Sequence, residues 1–116
     1  MAIPHAKSGE VIDIRPLGRQ IKDKATSALV KTDALEVVRL ILPAGQSIAR
    51  HQVPGEITVQ CLEGQVIFDA GGVERELSSG QMLYLDGGVP HALRAVGDSS
   101  LLLAILLRHK TTAPGA

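Results

Sequence analysis

Gly45-QSIAR-His51-Gln52-Val53-Pro54-Gly55-Glu56-ITVQCLE-Gly64, followed after a short hairpin by Gly80-QMLYL-Asp86-Gly87-Gly88-Val89-Pro90-His91-ALR-Ala95, is the part of the chain whose reading decides the fold. Both halves share one plan. A glycine opens a short apolar segment, a Gly/Pro turn follows, and a histidine stands at one border of that turn. Glycine reaches backbone conformations that other residues avoid and proline cannot continue a ladder, so these positions punctuate short strands. Within the strand Ile57 to Leu62, alternation puts Ile57, Val59 and Cys61 on one face and Thr58 and Gln60 on the other.

Working outward, Glu63-Gly64-Gln65 connects tightly to Val66-Ile67-Phe68, and Asp69-Ala70-Gly71-Gly72 is a hairpin turn into Val73 to Leu77. Ser78-Ser79-Gly80 turns into Met82 to Leu85, and His91 to Val96 and Leu101 to Leu107 follow, separated by Gly97-Asp98-Ser99-Ser100. Upstream, Ala28 to Lys31 and Leu35 to Leu42 form a hairpin about Thr32-Asp33. Leu35 to Leu42 is apolar on both faces, which suggests a central or interface position. Glu10 to Ile14 is short and β-branched and ends at Pro16, so it predicts a terminal or edge strand, while Leu17 to Thr26 predicts a loop with one helical turn. Many short strands, frequent turns and no amphipathic helix predict an all-β sandwich or small barrel.

The two halves resemble the motifs of the cupin family: Gly, five residues, His-x-His, three or four residues, Glu, six residues, Gly, and then Gly, five residues, Pro-x-Gly, two residues, His, three residues, Asn. Gly45, His51, Gly64, Gly80, Gly88 and His91 match. Val53 stands at the second His, Ile57 at the Glu, Asp86 at the Pro and Ala95 at the Asn. The resemblance implies a double-stranded β-helix, or jelly-roll barrel, with His51 and His91 adjacent across its interior. It also implies one divalent transition metal (iron, zinc, nickel, copper or manganese) in members that keep all four ligands, and this chain supplies two of them, His51 and His91. Glu56 is the nearest further carboxylate. It sits one residue out of place, on the opposite face of a regular strand unless a bulge beside Pro54-Gly55 turns it inward. The bland alternative is a pair of neutral histidines in a barrel mouth that hold nothing.

Val53, Val59, Cys61, Met82 or Leu83, and Leu93 are expected to line an apolar cavity with His51, His91 and Tyr84 at its polar end. Cys61 reads as a small core residue or as a soft ligand or nucleophile. Tyr84 reads as a ligand-bonding hydroxyl or a core ring with a wet tip. Arg39 and Arg50 are candidate anchors for an anion. Gly88 is expected at positive φ, and His5 and His109 near the termini at solvent. Two functional classes remain: a protein that binds a small molecule inside the barrel, favoured by the apolar replacements at Val53, Ile57 and Ala95, and a metal-dependent isomerase, dioxygenase or lyase. Replacing either histidine by alanine is expected to change stability little.

Composition narrows the partners. Lys plus Arg and Asp plus Glu number 12 each and aromatic residues are 2% of the 116, so neither a phosphate-binding surface nor a base-stacking platform is present. One cysteine excludes an intrachain disulfide. No apolar run of signal-peptide or membrane-spanning length occurs, which predicts a cytoplasmic protein with no membrane partner. The length suits one domain over residues 1–116, with an N-terminal arm to about residue 16 and a frayed tail over 111–116. The surplus of apolar strand surface, including Leu101 to Leu107, predicts a homodimer, with the arm available to cover a partner's sheet edge.

Overall fold

The computed structural model describes residues 5–107. Its strands are β1 (Ser27–Lys31), β2 (Leu35–Leu42), β3 (Ser47–His51), β4 (Ile57–Glu63), β5 (Gln65–Ala70), β6 (Val73–Ser78), β7 (Met82–Leu85), β8 (His91–Ala95) and β9 (Ser99–Leu106). They form a five-stranded sheet in the order β1-β2-β9-β4-β7 and a four-stranded sheet in the order β3-β8-β5-β6. From β2 onward the chain crosses from sheet to sheet at every connection except the β5–β6 hairpin, which is the winding of a double-stranded β-helix. That hairpin turns on Gly71 and Gly72, whose φ of 61° and 93° suit a two-residue turn that side chains would strain. The Gly72 N–H donates to Asp69 Oδ1 at 2.9 Å and fixes it.

The register aligns residues in rows across each inner face. On the four-stranded sheet, Val73, Ala70, His91 and His51 make one row, Arg75, Phe68, Leu93 and Ile48 the next, and Leu77, Val66 and Ala95 the third. Facing them on the larger sheet are the rows Leu40, Leu101, Cys61 and then Val38, Leu103, Val59, Leu83 and then Glu36, Ile105, Ile57, Leu85. Phe68, Leu101, Val59, Val66 and Cys61 are fully buried in one apolar cluster. The middle of the sandwich is therefore apolar, and the histidine row lies at one end.

The outer face of the larger sheet is covered in part by the chain's own N-terminal segment. A 3-10 helix, Gly18–Asp23, forms where a helical turn is expected and buries Ile21, and the outer residues Arg39 and Ile41 of β2 are buried too. The Ala6 N–H donates to Leu29 O at 2.8 Å, and Ile41 N–H to Thr26 Oγ1 at 2.9 Å. The strand expected over Glu10 to Ile14 does not form. Val11 is 97% exposed, and Arg15 instead makes a local pair with Asp13 at 2.6 Å. A β-branched run forms a strand only where an edge is free to pair with it, and here the chain turns away at Pro16. The expected tail over 111–116 and His109 lie outside the described residues.

Candidate functional site

His51 and His91 meet at the end of the four-stranded sheet. They are register partners of β3 and β8, after an irregularity between Ile48 and His51 that resets the facing of β3. Their ring centroids lie 4.3 Å apart with planes at 58°. His51 Nδ1 is 3.0 Å from Ala49 O and His91 Nδ1 is 2.9 Å from Val89 O. A carbonyl only accepts, so Nδ1 of each ring carries a proton, and Nε2 of each has no partner among the described residues. The two rings differ in solvation. His51 is exposed, whereas His91 is 4% exposed, and Phe68 stacks on it at 5.8 Å and 11°. His91 is therefore packed against Phe68, whereas His51 faces solvent.

Glycines bring the two histidine loops together. The Gly88 N–H donates to Val53 O at 2.8 Å, with Gly88 at φ 81° as expected. A Cβ on Gly87 would stand 2.1 Å from Pro54 O, and one on Gly55 would stand 1.7 Å from Leu106 O. The loops therefore pack backbone on backbone, and neither glycine can be replaced without moving a loop. These positioning residues were missed by sequence reasoning, although the Pro54-Gly55 and Asp86-Gly87 pairs signalled tight turns.

The remaining candidates divide. Val53 is half-buried against the core beside the histidine loops. Val59, Cys61 and Leu93 sit in the buried cluster, and Leu83 rather than Met82 faces it. Cys61 is no nucleophile in this setting: burial pushes its thiol up, and the S–H lies against Glu63 O and Gly64 O at 3.4 and 3.6 Å. Tyr84 is not at the polar end of a cavity. It pairs with Thr58 on the outer face of the larger sheet, is 51% exposed, and donates its hydroxyl to the carboxylates of Glu56 and Asp86. Those acceptors, Glu56 first, hold its proton on and push its pKa well above the ordinary phenol value. Glu56 is thereby engaged outside the barrel, and the inward bulge that would bring it to the histidines does not occur. Arg39 and Arg50 are not free anchors either, being paired with Glu63 at 3.2 Å and Asp69 at 3.1 Å. His5 is exposed as expected.

A sequence profile of the cupin domain matches residues 38–107, more than half of the chain and both histidine loops. The chain belongs to the cupin domain family. Solved structures agree on the cupin fold. A conserved protein of unknown function from Streptococcus pyogenes superposes with a TM-score of 0.73 at 24% identity, over 94% of this chain and 96% of that one. A cupin superfamily protein from Desulfitobacterium hafniense gives a TM-score of 0.73 at 18% identity, over 89% of this chain and all of that one. Salicylate 1,2-dioxygenase from Pseudoaminobacter salicylatoxidans gives 0.64 at 25% identity, over 70% of this chain and 25% of the enzyme. No curated protein matches the sequence.

The metal that such folds often carry can be tested against this cupin's donors. Among the described residues no three His, Cys, Asp or Glu side chains gather where one ion could bind. Two imidazole rings lie 4.3 Å apart, Val53 and Ile57 have no lone pair to offer, and Glu56 is held by Tyr84. The donor set falls short of the about three protein ligands that a catalytic ion needs.

Proposed function

We propose that this cupin binds a small molecule at the mouth of its barrel, using the free Nε2 atoms of His51 and His91 as acceptors for ligand hydroxyl or amide protons. The observation that carries this reading is the ring pair itself: two imidazoles in contact, both with Nδ1 satisfied by backbone and Nε2 left over. His91 is buried, and buried polar groups are ordinarily paired within the protein, so its unpartnered Nε2 beside the exposed ring of His51 and an apolar core marks a place for an outside partner. Phe68 stacks on His91, and Val53, two residues after His51, packs against the same apolar core.

Nitrogen-15 spectra of the histidine rings test it, with phenol, benzoate and glycerol as probes. At least one probe is expected to move both Nε2 signals saturably, and His51→Ala is expected to abolish the effect. Unmoved Nε2 signals with all three overturn the reading. A metal-dependent isomerase, dioxygenase or lyase is the second reading, favoured by the same free nitrogens. Metal analysis after exposure to zinc and dialysis separates the two. Retention near one equivalent, lost in His51→Ala, supports the enzyme, and less than about a tenth of an equivalent removes it.

The protein works as a homodimer in this proposal. Tyr84, Met82 and Leu106 are exposed on the outer face of the larger sheet, beside Leu35 and Ala104. Contact of that face with a second copy covers an apolar patch that is rare on monomers. Sedimentation at micromolar concentration is expected to give twice the chain mass of 12.2 kDa, and the chain mass alone rejects the dimer. A free Cys61 suits a reducing, cytoplasmic setting.

A further inference from the structure

The two sheets do not close on each other along one side. There the edge strand β6 faces the edge strand β7, and a groove of about 340 Å³ opens between them. Its apolar walls are Phe68, Leu77, Met82 and Leu83. At its rim stands Arg75. The register places Arg75 opposite Phe68, so it lies on the inner face of β6, in the second row of the sheet, where every other member is apolar. An arginine at the end of an apolar row needs a reason.

Arg75 shares with Arg19 the lack of a carboxylate partner among the described residues, and of the two it is Arg75 that lines this groove. Arg15, Arg39, Arg50 and Arg94 each hold a carboxylate, Asp13, Glu63, Asp69 and Glu74. Arg75 holds none among the described residues: Glu74 is paired with Arg94, and Glu76, which also lines the groove, makes no ion pair with it. Gln81, at the same groove, uses its side-chain oxygen to accept the Ser78 N–H at 2.9 Å, which leaves its amide nitrogen to donate. A guanidinium fork and an amide N–H above an apolar floor match a carboxylate with an apolar tail. The volume lies at the low end for small-molecule sites, which suits a short tail rather than a polymer.

We infer that the groove between β6 and β7 is a second ligand site of this cupin, taking a small organic carboxylate whose charge meets Arg75 and whose apolar body lies on Phe68, Leu77 and Leu83. This site is separate from the mouth at His51 and His91. Phe68 is common to both, stacking on His91 and lining the groove. The competing account is that Arg75 only guards an edge strand against pairing with another chain, a common use of inward-pointing charge.

Hexanoate and its uncharged counterpart hexanamide distinguish these, followed through the methyl signals of Leu77, Met82 and Leu83 and the ring signals of Phe68. Hexanoate is expected to shift them saturably, with hexanamide weaker by about fivefold or more, the scale of one exposed charge contact. Arg75→Gln is expected to weaken hexanoate by the same factor and leave hexanamide alone, while His51→Ala changes neither. Equal affinity for the two probes, or no saturable shift, overturns the site. So does an Arg75→Gln variant that binds hexanoate normally but self-associates, which is the edge-guard result. Loss of hexanoate binding in His51→Ala would assign that ligand to the mouth and overturn the groove as well.

Discussion

Two polar clusters interrupt the apolar strands of this protein, and they are built in opposite ways. Beneath the N-terminal segment, Arg39 Nη2 donates to Arg15 O, Ser100 Oγ and Glu63 Oε2 at 2.7 to 3.2 Å. The Glu63 carboxylate also accepts the Leu17 and Gly18 N–H groups and the Ser100 hydroxyl. Among the described residues, Arg39 Nε is the one fully buried side-chain nitrogen or oxygen left without a partner. At the barrel mouth the backbone satisfies one nitrogen of each histidine and leaves the other free. A cluster that uses up its own valences clamps a segment, whereas one that keeps lone pairs in reserve can meet a partner from outside.

Removing the clamp should have the largest effect. Glu63→Ala leaves Arg39 buried without its counter-charge and frees two backbone donors, so a loss of about 3–5 kcal/mol is expected in urea unfolding. A loss under about 1 kcal/mol would show the cluster to be solvated and dispensable. Acid probes the same carboxylate. Burial pushes the Glu63 pKa up, but the Ser100 hydroxyl, the Leu17 and Gly18 N–H groups and Arg39 together hold it below the ordinary 4.5. The unfolded chain then binds the proton more readily. The clamp's contribution is therefore full above the unfolded value and lost as pH falls through the folded one. Urea midpoints should drop below about pH 4.5 in the native protein, and Glu63→Gln should remove that part of the drop.

The histidines sharpen the comparison from the other side. His91→Ala deletes a buried ring stacked on Phe68, and about 1–3 kcal/mol should be lost. His51→Ala removes an exposed ring and should fall within about 0.5 kcal/mol of the native stability by the same measurement. Equal costs for the two would show that the mouth is one structural unit rather than a buried support and an open acceptor.

Much of this architecture could be read from local pattern. The Gly71-Gly72 hairpin, the Gly88 turn and the strand order from Ile57 to Leu85 follow from residues that act on their immediate neighbours. Tyr84 could not be placed that way. Met82-Leu83-Tyr84-Leu85 is apolar on both parities, so alternation alone does not say which face is inner, and only pairing with β4 puts Leu83 and Leu85 inside. Arg39 looked like an anchor for a ligand because its partner is distant in sequence. The Glu10 to Ile14 run looked like a strand because propensity does not reveal whether an edge is available to it.

The amino-acid order by itself determined the all-β strand pattern, since turn-forming glycines and strand parity act over a few residues, while the meeting of His51 with His91 was legible only through the resemblance to the cupin motifs. What the tertiary structure alone decided was the state of each side chain on that frame. Glu56 is spent on Tyr84, Arg39 is spent on Glu63, and Arg75 has no paired carboxylate among the described residues. Whether a polar group is satisfied depends on partners brought within about 3 Å by the fold, and chain spacing carries no record of that distance.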